Sequence, residues 1–194
     1  MGLLVMIAGL VLFIGIHTLT TRRELRASLI GSVGEGGYKI GYALISLLGL
    51  VLIVWGFADY RATGMWIVWT PPKLFKHIAV ALMLPAVILV VASYIRGRIY
   101  TTLKHPMLAG VKLWAAAHLL ANGDLGSMIL FGAFLAWAVF DRISLKRRAD
   151  AGAPPIPVGG IGNDLIAVAV GVVAYLALAF VLHPVVIGVP VVGV

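Results

Sequence analysis

Five histidines are the side chains of this sequence best suited to chemistry: His17, His77, His105, His118 and His183. His17 in "FIGIHTLTTRR" and His118 in "AAAHLLANGD" lie inside apolar runs. A neutral imidazole suits iron in an apolar place, and an unpaired one there is costly. His77 begins an apolar run and His183 ends one, the usual position of an interface residue. The chain has no cysteine, which excludes disulfides, thiolate metal ligands and cysteine nucleophiles. Its seven acidic residues all avoid the middle of an apolar run, so a carboxylate proton relay or cation pump has almost nothing to work with.

The stretch "KHPMLAGVKLWAAAHLLANGD", residues 104–124, concentrates polar groups in an otherwise apolar region. On a helix over 106–121, His105 and Lys112 fall within about 20° of each other. Met107, Val111, Trp114 and His118 form a second stripe more than about 100° away. A helix polar on two sides belongs inside a bundle rather than against lipid. His105 and His118 lie about 20 Å apart along its axis, so one metal ion, with ligand atoms about 4 Å apart across it, cannot take both. Any metal on His118 needs a second ligand from another span. Lys112 either snorkels to headgroups or meets a partner such as a cofactor carboxylate. Asn122-Gly123 suits a left-handed helix stop and Asp124 the N-cap of the next helix. Counting equal steps from the Gly123 turn pairs His105 with Asp141, which would orient the imidazole or hold it charged.

The elements that position these residues follow from composition. Of 194 residues, 62% are hydrophobic and 11% charged, and the mean hydropathy is +1.09. So few charges cannot cover a soluble domain of this size. Apolar runs near 3–19, 40–57, 77–95, 107–121, 125–140 and 164–183 are continuous, without the alternation of barrel strands. The expected fold is all-α: a polytopic membrane helix bundle of about six transmembrane helices, one domain over residues 1–194. "WIVW" at 66–69 reads as an interfacial aromatic cluster, and "TPPK" holds off the next helix until about Leu74. "AGAPPIPVGGIGN" reads as a linker closed by Asn163 or Asp164 as a cap. Gly49 and Gly56 share a face of the second span, and Gly132 and Ala136 form a small-residue pair in the fifth, both suited to close helix packing.

The net charge is +8, and the basic residues gather between the apolar runs, which points to lipid headgroups and not to nucleic acid. The first run lacks the basic residues that open a cleavable signal. With the N-terminus outside, eleven basic residues fall in inner loops and three in outer ones, so the positive-inside rule puts both termini outside.

"KHPMLAGVKLWAAAHLLANGD", followed by "LGSMILFGAFLAWAVFDRISLKRR", resembles the NnrU proteins of bacteria, which share a domain with plant zeta-carotene isomerase. The motif is H-P-x-x-x-G, then W, then H-L-x-x-N-G-D, with "GIHTL" and "ELRASLIGSVGEGGYKIGYALISL" as supporting features. The resemblance implies an integral protein of the bacterial inner membrane tied to denitrification and nitric oxide metabolism. Its plant relative is a heme b enzyme that isomerises a polyene double bond. That implies heme b here, with His17 and His118 as iron ligands, Trp114 and Lys112 beside it, His105, Asp141, Asn122 and Asp124 in supporting positions, and an apolar small molecule as substrate. Ala115 stands where the relative has a cysteine proposed to exchange as a ligand.

Two other readings stay open: an accessory or assembly factor without heme, and a small-molecule membrane methyltransferase, whose motif "KHPMLAG" matches loosely. The methyltransferase reading lacks the downstream acidic residues of such enzymes, since no glutamate follows Glu35. The pair His17 and His118 carries a conflict of depth. His17 ends an outside-to-inside span, whereas His118 lies about 18 Å from the inner end of its own. Depth alone favours His17 with His105, or His77 with His118. The oligomeric state is not encoded in any of these features.

Overall fold

The structure is a computed structural model and describes residues 1–148 and 159–191. Among the described residues there are seven α-helices: α1 (Gly2–Leu19), α2 (Arg23–Ala62), α3 (Lys73–Ala92), α4 (Arg98–Leu103), α5 (Pro106–Ala121), α6 (Leu125–Arg148) and α7 (Ile161–Ala177), the last continued by a π-helical stretch, Leu178–Ile187. Five helical segments are long and apolar enough to cross a membrane. α5 is not one of them. Its 16 residues rise about 24 Å, short of a hydrocarbon core of about 30 Å. It is also the helix without an exposed residue, in keeping with a polar surface on two sides. Elsewhere large apolar side chains such as Leu44, Val51, Trp55, Val173 and Phe180 are exposed, a surface compatible with lipid contact.

The chain forms two compact units, Met1–Thr70 with Asn122–Arg147, and Pro71–Ala121 with Arg148–Val194. In the first, α1 lies against the apolar part of α2. The contact is made by glycines from both helices. A Cβ on Gly9 would meet the amide of Ile53 at 2.6 Å, and one on Gly56 would meet the backbone of Met6. The Gly49–Gly56 face expected from the sequence is therefore used for close approach. α2 starts much earlier than the apolar run, at Arg23, and is broken at Gly34 (φ 74°, ψ 163°), a conformation that a Cβ would strain. The strip Trp66–Trp69 pairs with the turn before α6. Val68 and Trp69 donate their amides to the Gly123 carbonyl (2.8 and 3.1 Å), and Leu125 donates to the Trp66 carbonyl (2.8 Å). Asp124 is buried and its Oδ1 accepts the Ser127 amide at 2.9 Å, the N-cap bond expected of it.

Three local expectations are corrected. Gly123 is not among the glycines with positive φ, which are Gly34, Gly64 and Gly188. Its carbonyl is taken by the Trp66–Trp69 strip, so no left-handed stop is required. Gly132 does not serve close packing, because a Cβ there would meet nothing within 4 Å. Asn163 and Asp164 do not cap α7, which begins after Gly160.

In the second unit α3 starts at Lys73, directly behind Pro72, as the two prolines dictate. α5 packs on α3 where Gly110 meets Ala86 and Val90. α7 packs antiparallel on the same helix, with Gly171 against Ile88 and the Tyr175 hydroxyl donating to the Val80 carbonyl at 3.2 Å. At the other end Asn163 Nδ2 donates to the Arg96 carbonyl (2.9 Å), and Asp164 Oδ1 accepts the Ile99 amide (2.9 Å). Those side chains tie α7 to the start of α4 instead of capping their own helix. Residues 151–158 of the expected linker lie outside the described residues.

Candidate functional site

The polar residues singled out by the sequence fall into two groups, one in each unit. In the first unit His17 is half-buried, one turn after Phe13 on α1. Its Nδ1 lies 2.7 Å from the Phe13 carbonyl oxygen. A carbonyl only accepts, so Nδ1 carries the proton and the lone pair sits on Nε2. The ring stacks on Phe13 at 4.2 Å and meets Tyr42 of α2 at 5.3 Å and Trp137 of α6 at 5.7 Å, both edge-on. Tyr38, Tyr42 and Ser46 follow one another at four-residue steps on α2, a single face of that helix. The Tyr38 hydroxyl and the Trp137 indole N–H are buried with no hydrogen-bond partner, and the Ser46 hydroxyl lies within reach of Tyr42. Arg26 lies over the Tyr38 ring at 5.4 Å, and Asp141 lies within electrostatic reach of Tyr42. The sequence did not point to Tyr38, Tyr42, Ser46 or Trp137 as a group. Only the four-residue spacing on α2 hinted at it.

In the second unit His118 is half-buried near the end of α5. Its Nδ1 lies 2.8 Å from the Trp114 carbonyl oxygen, the same tether by the residue four positions back, and the two rings approach to 5.3 Å. Lys112 is half-buried six residues earlier. His183 shares this arrangement. Its Nδ1 lies 2.7 Å from the Val189 carbonyl oxygen, and it stands within electrostatic reach of His118. His77 is exposed in the first turn of α3. His105 is half-buried just before α5, where Lys104 takes a positive φ of 64°.

The expected partners are distributed accordingly. His17, Asn122, Asp124 and Asp141 belong to the first unit; His105, Lys112, Trp114 and His118 belong to the second. Asp124 is occupied as a helix cap. His183 was read from the sequence as the end of a span, and its carbonyl tether is new. Among the described residues no three His, Asp or Glu side chains gather to hold a metal ion. A bare ion thus finds no chelating set there. A porphyrin brings four nitrogen donors of its own and asks the protein for one or two imidazoles, which is what tethered histidines in apolar helices supply.

Residues 5–191 of the chain match the family model described as NnrU protein. The chain belongs to the NnrU family. No curated protein and no solved structure matches it.

Proposed function

We propose that this NnrU family chain is a heme b protein of the bacterial inner membrane, in which His118 would hold the iron through Nε2. The observation that carries the reading is the tether of His118 Nδ1 to the Trp114 carbonyl at 2.8 Å, on a helix with no exposed residue. A hydrogen bond of this kind fixes tautomer and ring orientation and raises the basicity of the other nitrogen, as at most histidine metal ligands. Trp114 offers an aromatic surface beside the ring. Lys112 supplies the cation that a propionate would need in an apolar setting. The apolar α5 keeps water away, which strengthens every charge interaction at the site. His17, tethered to the Phe13 carbonyl at 2.7 Å, belongs to the other unit and is not needed for this reading. The excess of basic residues in alternate loops supports termini on the outer face, an arrangement that requires the short α5 to complete a sixth crossing with its flanks.

When bound, the heme supplies a redox-active iron able to take nitric oxide or to gate isomerisation of a polyene double bond. The role in denitrification and nitric oxide metabolism belongs to this reading. The test is colour. The full chain, expressed with a heme precursor and purified in detergent, should show a Soret band, and His118→Ala should abolish most of it. A colourless protein prepared under the same supply would transfer the function to a membrane accessory or assembly factor.

A further inference from the structure

His183 lies in an unusual local structure. Its π-helical stretch contains Pro184 and ends at Gly188, which is left-handed at φ 75° and donates its amide to the Pro184 carbonyl at 3.1 Å. π-turns are rare and recur at functional sites. The left-handed turn folds the chain back so that the Val189 carbonyl reaches the His183 ring. Around it Val181, Leu182, Val185, Val186 and Ile187 are exposed, whereas His183 is half-buried. An apolar stretch thus half-buries its one imidazole, held by its own Val189 carbonyl, and leaves its aliphatic side chains exposed. Polar groups at membrane depth are turned inward when they have a partner there.

The packing of the second unit fixes the level of that imidazole. Gly110 of α5 sits between Ala86 and Val90 of α3, and Gly171 of α7 sits against Ile88. Both helices run antiparallel to α3, so His118 reaches the level of about residue 80. His183, whose last turns are π-helical and rise less per residue, lies at the same end of the unit, roughly 6 Å or less further along the axis. The sequence carries a further mark: H-P-x-x-x-G occurs twice, as "HPMLAG" at 105–110 and "HPVVIG" at 183–188. The first copy opens α5 and the second closes the π-helical stretch, so one motif brackets each of the two segments that hold the tethered histidines of this unit.

We infer that His183 would join His118 in holding the heme: two imidazoles of one unit, each with Nδ1 tied to a backbone carbonyl, would offer Nε2 to the same iron. The inference rests on the heme reading above. It removes the conflict of depth that attends His17, because both ligands come from the same end of one unit. His77, at a similar level, is exposed and lacks a tether, so it is the weaker candidate.

The experiment is optical and electron paramagnetic resonance spectroscopy of the full chain, purified with heme. Wild type and His17→Ala are expected to give the same low-spin spectrum of a bis-imidazole heme. His183→Ala is expected to lose the low-spin signal and become high-spin, and added imidazole is expected to restore it. Should His183→Ala fail to fold, His183→Met decides the matter, since a thioether ligand changes the low-spin spectrum and raises the potential, whereas a spectrum identical to wild type overturns the assignment. A low-spin spectrum that survives in His183→Ala and disappears in His17→Ala also overturns it and leaves the heme reading intact. A wild-type protein without a Soret band overturns both.

Discussion

Gly9 and Gly49 face each other across the α1–α2 contact. A Cβ on Gly9 would stand 2.8 Å from the Gly49 carbonyl oxygen, and a Cβ on Gly49 would stand 3.1 Å from the Gly9 carbonyl oxygen. The two helices touch backbone to backbone, so neither can yield by moving a flexible side chain. Gly49→Leu should destabilise the protein by at least the 1–3 kcal/mol typical of overpacking. Gly15 of α1, with nothing within 4 Å, is the control. Thermal denaturation in detergent should lower the midpoint for Gly49→Leu and leave Gly15→Ala at or above wild type; equal effects would refute the interlock.

The Tyr60 hydroxyl oxygen accepts two backbone amides, Trp66 at 3.0 Å and Gly126 at 3.2 Å. Tyr60→Phe keeps the ring and orphans both donors, one of them buried. A loss of about 1–3 kcal/mol is expected, measured by SDS titration. Faster amide exchange confined to these two positions would show that the hydroxyl is responsible.

Asp124 caps α6. Asp124→Ala should cost about 0.5–2 kcal/mol, while Asp124→Asn, equally able to accept the Ser127 amide, should stay close to wild type. An asparagine variant as unstable as the alanine one would mean that the charge, and not the cap, is what matters.

Trp137 presents a buried indole N–H with no partner. Removing an unsatisfied group relieves its desolvation cost, so Trp137→Phe should be neutral or stabilising in the ligand-free protein. A clear drop in melting temperature for Trp137→Phe would show that the indole N–H is satisfied in the membrane.

Much of this arrangement was legible. The apolar runs located the helices because a span must be continuously apolar, and Asp124 announced its cap because the bond is local, three residues long. What failed depended on distant partners. Gly123 needs no left-handed turn because Val68 and Trp69 take its carbonyl. Asn163 and Asp164 look like caps, yet their side chains serve Arg96 and Ile99, more than sixty residues away in the chain. The opening of α2, "RELRASLIGSVGEGG", reads as a loop by polarity, and the structure runs it as helix up to the break at Gly34. His183 looked like a helix end because the apolar run stops there. Only the π-helical winding and the fold-back at Gly188 show that its ring is half-buried and tied to the Val189 carbonyl.

The order in which the ribosome delivers these segments does not match the order in which they are used. The first unit takes its chain from residues 1–70 and then from 122–147. The glycine-sealed pair α1 and α2 can form as soon as it is synthesised, but the Tyr60 hydroxyl and the Trp66–Trp69 strip then wait for Gly123, Leu125 and Gly126, more than fifty residues later. During that interval α3, α4 and α5 are synthesised while the first unit is unfinished. A nascent chain arrested before residue 122 would hold the α1–α2 hairpin with its Tyr60–Trp69 end still unpaired, and such an arrested chain is where insertion factors and membrane proteases should compete for the protein.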